Sequence, residues 1–237
     1  MVIATGHSAI EDHFDANPTL ERWLEEHGQI EMLRAVRRVT EIGAIAFVHQ
    51  KEQLGLGHAV LMAKELVGDE PFAVLLSDDV MLNPGGVPVT RQLIEQYHAH
   101  RGSVVALQRV PPAEAGRYGI VRPLREEGRL VEIGDLVEKP APEAAPSDLA
   151  IFGRYVLSPK IFDILETTPR GAGGEIQLTD ALRGLVAEQP VFGYQFAGTR
   201  HDAGTRLGWL KATLALGLES DDADELRAYI RSLDLRD

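Results

Sequence analysis

The sequence predicts an α/β fold: a doubly wound, mostly parallel central sheet with helices on both faces. Three observations predict it. Pro71 to Leu82 reads PFAVLLSDDVML, an unbroken apolar run that closes on a small hydroxyl residue and two adjacent carboxylates, Asp78 and Asp79. Such a run suits a strand covered on both faces, and in open α/β sheets ligands sit beyond the carboxyl ends of the strands. From Val2 to Val110 strand-like and helix-like patterns alternate, the rhythm of βα units. After Pro111-Pro112 the rhythm changes to strand-like stretches meeting across a Glu-Gly turn, a small antiparallel subregion.

The elements follow in order. Val2 to Ala4 form a first strand with Gly6-His7 as its exit turn. Ser8 followed by Glu11 is a capping-box pattern opening a short helix through Phe14. Asn17-Pro18 caps the next helix, with Pro at the first helical position where its missing N–H costs nothing; Leu20, Trp23 and Leu24 recur at helical spacing. Gly28 interrupts, and Ile30, Leu33, Val36, Arg37 and Thr40 continue a second helical face. Ala44 to Val48 reads as a short apolar strand and His58 to Val67 as a helix. Beyond Phe72–Leu76 come a Pro/Gly loop at Asn83 to Pro88, a helix from Thr90 to His100 and a buried strand from Ser103 to Val110. Gly119–Pro123 and Leu130–Ile133 pair antiparallel; Lys139 to Pro146 is a loop, and Ile151–Leu157 a strand. Helices follow at Lys160–Glu166 and Ile176–Glu188, the second after a glycine-rich loop, then a last strand at Val191–Phe196. Arg206–Leu218 and Ala223–Leu233 are closing helices, so residues 1–218 read as one domain and 219–237 as a C-terminal helix.

With 237 residues the chain can bury a sizeable core. A net charge of −12 argues against nonspecific binding to nucleic acid or to anionic membranes, although local cations or a metal can reverse the sign inside a cleft. There is no cysteine, hence no disulfide framework or thiolate chemistry. Apolar runs are too short to span a bilayer and Met1-Val2-Ile3-Ala4 lacks a basic n-region, which gives a cytoplasmic expectation.

Four constellations carry candidate chemistry. Asp78 and Asp79 at a strand tip are expensive without a cation, and Mg²⁺ shared with substrate phosphates is one answer; starting a turn is the other. Gly55-Leu56-Gly57 lies between strand and helix, where glycine lets a flat ligand approach the backbone, and the Gln50 amide can both donate to and accept from a base edge. Val60 stands where a dinucleotide fingerprint needs its third glycine, so the pattern is a weak signal for a dehydrogenase. Glu138 and Lys139 would face opposite sides of a strand unless it ends there, and Pro140 favours such an ending; taken alone they read as a surface ion pair. Asp202 suits a helix N-cap or a second metal carboxylate. His7, His13, His27, His98 and His100 are scattered and read as surface or core-edge residues.

Taken together and in order, Gln50…Leu54-Gly55-Leu56-Gly57-His58-Ala59, Leu76-Ser77-Asp78-Asp79, Tyr118-Gly119-Ile120-Val121, Val137-Glu138-Lys139-Pro140, Ala150 to Leu157, Gly174 to Asp180 and His201-Asp202-Ala203-Gly204 resemble the bacterial UTP–glucose-1-phosphate uridylyltransferases. The likeness runs from Ile3 to about Leu218. It implies a Rossmann-like nucleotidyltransferase fold whose small antiparallel subregion binds the sugar. It also implies a Mg²⁺-dependent reaction of UTP with glucose 1-phosphate to UDP-glucose and pyrophosphate, and a homo-oligomer. By motif position, Gln50 and Gly55 would contact uracil and Asp78 and Asp202 would hold Mg²⁺. Gly119 and Glu138 would fix the glucose hydroxyls, and Lys139 would meet the sugar phosphate; Asp79 is left unassigned.

The departures from the family pattern are at the start, where a glycine-rich, basic loop and a Pro-Lys segment precede the strand matching Val2–Ala4. The resemblance implies that the first βα unit, with its phosphate cradle and a central strand, is not in this chain, and that the chain as it stands is inactive or impaired. Ser77 and Asp148 replace a usual Pro and Asn. The alternatives are a non-catalytic sugar-nucleotide-binding or regulatory paralogue, or transfer of another nucleotide or to another sugar.

Overall fold

The computed structural model describes residues 1–6 and 8–233. His7 lies outside the described residues, as do residues 234–237 of the C-terminal segment, and nothing of the Ser8 side chain in the expected capping box is described. The chain runs β1 (Val2–Ala4), α1 (Ser8–Phe14), α2 (Pro18–Glu26), α3 (Ile30–Thr40), β2 (Val48–Gln50), α4 (Leu56–Leu61), α5 (Lys64–Val67), β3 (Phe72–Leu75), β4 (Asp79–Leu82) and α6 (Val89–His100). It continues through β5 (Ser103–Arg109), β6 (Gly119–Glu127), β7 (Leu130–Glu138), β8 (Leu149–Leu157), α7 (Lys160–Thr167), α8 (Leu178–Glu188), β9 (Val191–Gln195), β10 (Thr199–Asp202), α9 (Arg206–Gly217) and α10 (Ala223–Ser232).

The main sheet has six strands in the order β3-β8-β5-β9-β7-β6. β5 and β9 pair in parallel, whereas β8 and β7 run antiparallel to their neighbours. Four strands, β3, β5, β9 and β6, therefore share one direction, which is the form the mostly parallel sheet takes. Alternate residues of β5 feed two cores. Val105 and Leu107 pack with Ile161, Phe162 and Leu165 of α7 and Leu182 and Leu185 of α8, while Val104 and Ala106 meet Val89 and Leu93 of α6. That period of two places helices on both faces. β6 and β7 form the antiparallel subregion, a hairpin closed at Gly128, whose φ of 61° glycine adopts without a Cβ penalty.

Several expectations are corrected. The apolar run at Phe72 is not covered on both faces: among the described residues β3 pairs only with β8, its residues alternate half-buried and exposed, and Leu75 is 55 % exposed. An edge strand lacks the second neighbour that would seal its outer side. The strand expected over Ala44–Val48 shifts to β2, because its parallel pairing with β1 runs only from Val2↔Val48 to Ala4↔Gln50. β1 and β2 form a separate two-stranded sheet. The helix expected over His58–Val67 divides at Met62-Ala63, where the Ala63 N–H donates to Val60 C=O at 3.0 Å, a tighter turn than the α-helix uses. A further two-stranded ribbon, β4 with β10, was not legible as strands.

Candidate nucleotide-sugar site

The ends of β7 and β3, the start of β6 and the middle of β8 open onto a cavity of about 400 Å³, closed on one side by the β4–β10 ribbon. Asp78, Gly119, Glu138, Lys139 and Asp202 all line it. Five of the seven sequence-derived site residues, drawn from segments far apart in the chain, therefore converge on one space. Gln50 and Gly55 do not line it. Leu56, next to Gly55 in the chain, does.

Glu138 and Lys139 reach the same cavity because β7 stops at Glu138. Lys139 adopts φ 45°, a left-handed conformation that breaks the alternation of a strand and turns the chain back, with its N–H donating to Tyr118 C=O at 3.0 Å. Its Nζ then stands 3.4 Å from Glu138 Oε1. Gly119 faces this pair from β6. A Cβ there would meet Thr179 Oγ1 at 2.8 Å and Glu138 Oε2 at 3.3 Å, so only glycine leaves that floor open.

Asp78 and Asp79 take different roles. Asp79 is buried, accepts the Gly153 N–H at 2.6 Å through Oδ2 and pairs through Oδ1 with Arg200. Asp78 is exposed, and its backbone C=O accepts the Ala203 N–H at 2.7 Å. Asp202 ends β10 and accepts the Gly204 N–H at 3.1 Å. It does not cap α9: that role falls to Thr205, whose hydroxyl accepts the Gly208 N–H. A Cβ built on Gly204 would lie 3.1 Å from Asp78 Oδ2 and 3.2 Å from Asp202 Oδ1, so the two carboxylates flank one small space that any larger residue would fill. Two hard oxygen donors fit a magnesium ion that completes its shell with phosphate and water.

At the other end, the Gly55–Gly57 turn docks on residues 175–176. Gly57 N–H donates to Ile176 C=O at 2.8 Å, and Ile176 N–H to Leu54 C=O at 2.7 Å. Gly55 has φ 100° and a Cβ there would sit 2.7 Å from Glu175 Cβ, so both conformation and space require glycine. Gln50 Nε2 donates to Gly55 C=O at 3.2 Å and stands 2.8 Å from His58 Nδ1, which fixes the amide against the turn.

Sequence reasoning missed the cations Arg117 and Arg200 and the phenol of Tyr155, all of which line the cavity. Arg117 Nη2 donates to Asp202 Oδ2 at 3.4 Å. Arg200 stood two residues before Asp202 in the sequence, a signal that proximity alone could have raised; Arg117 carried none. Burial, then the carboxylates of Asp79, Glu138 and Asp78, push the Tyr155 phenol far above the usual tyrosine range. Burial pulls the Arg154 guanidinium below its ordinary value, against Asp79 and Asp78, which raise it. His13, His27, His98 and His100 are exposed, as expected.

A cavity at strand ends, walled by carboxylates and cations and framed by glycines, is the pattern of a nucleotide-handling α/β enzyme. The family model described as nucleotidyl transferase matches residues 23–217, and the chain belongs to that family of enzymes. Within it, the chain belongs with the UTP–glucose-1-phosphate uridylyltransferases. It is 48% identical over 238 residues to UTP–glucose-1-phosphate uridylyltransferase 2 of Staphylococcus saprophyticus, covering 99% of this chain and 82% of that one. It is 47% identical over 236 residues to the Bacillus subtilis UTP–glucose-1-phosphate uridylyltransferase, covering 98% of this chain and 80% of that one. Among solved structures, the UTP-bound UGPase of Acinetobacter baumannii is similar with a TM-score of 0.89 at 36% identity, covering 98% of this chain and 83% of that one. A UDP-glucose pyrophosphorylase complexed with UDP-glucose gives 0.83 at 37%, covering 92% and 80%.

Proposed function

We propose that the chain's fold serves uridylyl transfer from UTP to glucose 1-phosphate, yielding UDP-glucose and pyrophosphate, in the cytoplasm. The observation that carries the reading is the convergence of Asp78, Gly119, Glu138, Lys139 and Asp202 on one cavity. The names of the uridylyltransferase relatives and the UDP-glucose and UTP complexes of the structural neighbours support it.

The attacking phosphate oxygen of glucose 1-phosphate is already ionised, so the site needs no general base. It has to hold two anions in line at the α-phosphorus and offset their repulsion. Lys139, turned into the cavity beside Glu138, meets the sugar phosphate as a point charge. Glu138 accepts from glucose hydroxyls over the floor left open at Gly119. Gln50 and the Gly55 backbone, hydrogen-bonded to each other, meet the uracil edge. Asp78 and Asp202 would hold Mg²⁺, which when bound offsets phosphate charge at the α-phosphorus. Among the described residues no group of three His, Cys, Asp or Glu is placed to hold a metal ion by itself, so phosphate and water would supply the other ligands. Apolar side chains exposed on α9, among them Leu207, Trp209 and Leu210, support a homo-oligomer. No helix among the described residues is long and apolar enough to cross a membrane.

Calorimetric titration with UDP-glucose, ADP-glucose and UDP-galactose tests the assignment. UDP-glucose is expected to bind tightest by about tenfold, the worth of one lost charged hydrogen bond. Equal or tighter binding of ADP-glucose sinks the uridylyl assignment, and equal binding of UDP-galactose sinks the glucose assignment.

A further inference from the structure

The turn that carries Asp78 is held in place by its neighbour. Asp79 is 5 % exposed and both of its oxygens are engaged: Oδ2 accepts the Gly153 N–H and Oδ1 the Nε–H of Arg200. Arg200 comes from the facing strand of the ribbon, where the register sets Asp202 opposite Asp79. Its guanidinium lies 4.3 Å from the centroid of the Phe152 ring, and its Nη2 stands 3.9 Å from Asp202 Oδ2. One planar group therefore spans the acid next to Asp78 and the second cation-facing acid. Gly153 completes the fit, since a Cβ there would lie 2.6 Å from Asp79 Oδ2.

A buried ion pair of this kind contributes little net stability, because desolvating both charges offsets their attraction. What a guanidinium fork does supply is fixed orientation. We propose that Asp79 and Arg200 are positioning residues for the cation-binding carboxylates, setting the spacing between Asp78 and Asp202. The proposal rests on the reading of those two acids as cation ligands.

The test uses Mn²⁺ as the probe, titrated in saturating UDP-glucose and read by the EPR signal of the free ion, with thermal melting followed in parallel. The double variant Asp79→Asn/Arg200→Gln removes both charges and leaves no orphan in the interior, so its melting stays near the parent's. Its Mn²⁺ dissociation constant is expected to rise about tenfold or more, the usual cost of losing an outer-shell partner of a metal site. Arg200→Lys keeps the charge but not the fork; it folds and weakens binding roughly two- to threefold, a partial rescue. Parental Mn²⁺ affinity in both variants overturns the proposal, as does a loss that merely tracks falling melting temperature. Asp78→Asn is the reference: if it alone abolishes Mn²⁺ binding, the ligand reading stands whatever the pair does, whereas unchanged binding in Asp78→Asn overturns the ligand reading and the proposal together.

Discussion

β3, Phe72-Ala73-Val74-Leu75, and the first five residues of β5, Ser103-Val104-Val105-Ala106-Leu107, are both mainly apolar, and they meet opposite fates. β5 pairs with β8 on one side and β9 on the other, and its first five residues are buried. Among the described residues β3 pairs with β8 alone, and Leu75 is 55 % exposed. Neighbours, more than side chains, decide burial. The same difference separates duties: β5 holds the fold together, while β3 delivers a turn, and Asp78 hangs from that turn beyond the sheet.

The largest effect should fall on chemistry without touching the fold. Asp78→Asn is expected to lower pyrophosphate formation by roughly 10²- to 10³-fold relative to the parent chain, the several kcal/mol of charge stabilisation a metal supplies, with an unchanged urea midpoint. A lowered midpoint would mean that the turn at β3 supports the sheet, and the contrast between the strands would collapse. Leu107→Ala in β5 should do the reverse, costing about 3 kcal/mol in urea unfolding because Leu107 is fully buried between α7, α8 and the sheet.

Tyr155 lies on the strand both share, opposite Val74 of β3 and Val105 of β5. Its phenol is raised by burial and by nearby carboxylates, so the folded chain keeps the proton that the unfolded chain releases. Stability from this group is therefore intact below the ordinary tyrosine value of about 10 and falls as pH rises above it. Tyr155→Phe should flatten that alkaline decline in a melting series; an unchanged slope would show that Tyr155 is not its source. The smallest effect is expected at Leu75→Ala, below about 0.5 kcal/mol, as for an exposed side chain. A loss near that of Leu107→Ala would show that β3 is sealed in solution.

Much of the fold was legible because it is local. The helices at Pro18 and Lys160 and the strands read from Ser103 and from Ile151 follow from periodicity, proline and capping. The exposure of β3 was not, because the same apolar run is buried or bare according to a partner that no window of sequence contains. The β4–β10 ribbon was hidden for a related reason: Val80-Met81-Leu82 reads as the tail of the preceding strand until Arg200 and His201 pair with it. In the site, Pro140 allowed Glu138 and Lys139 to share one pocket, but alone they read as a surface ion pair, and only the ordered set of motifs gave them a site role. Arg117 was not, since only tertiary folding brings it to Asp202.

The central claim is that the cavity joining Gly119, Glu138 and Lys139 to the two acids is the nucleotide-sugar site. Titrating UDP-glucose into the parent chain and into Glu138→Gln tests it most directly. Exchanging the carboxylate for an amide should weaken binding by about tenfold or more, the worth of charged hydrogen bonds to sugar hydroxyls, with no change in melting temperature. Equal affinity in the two proteins would contradict the account.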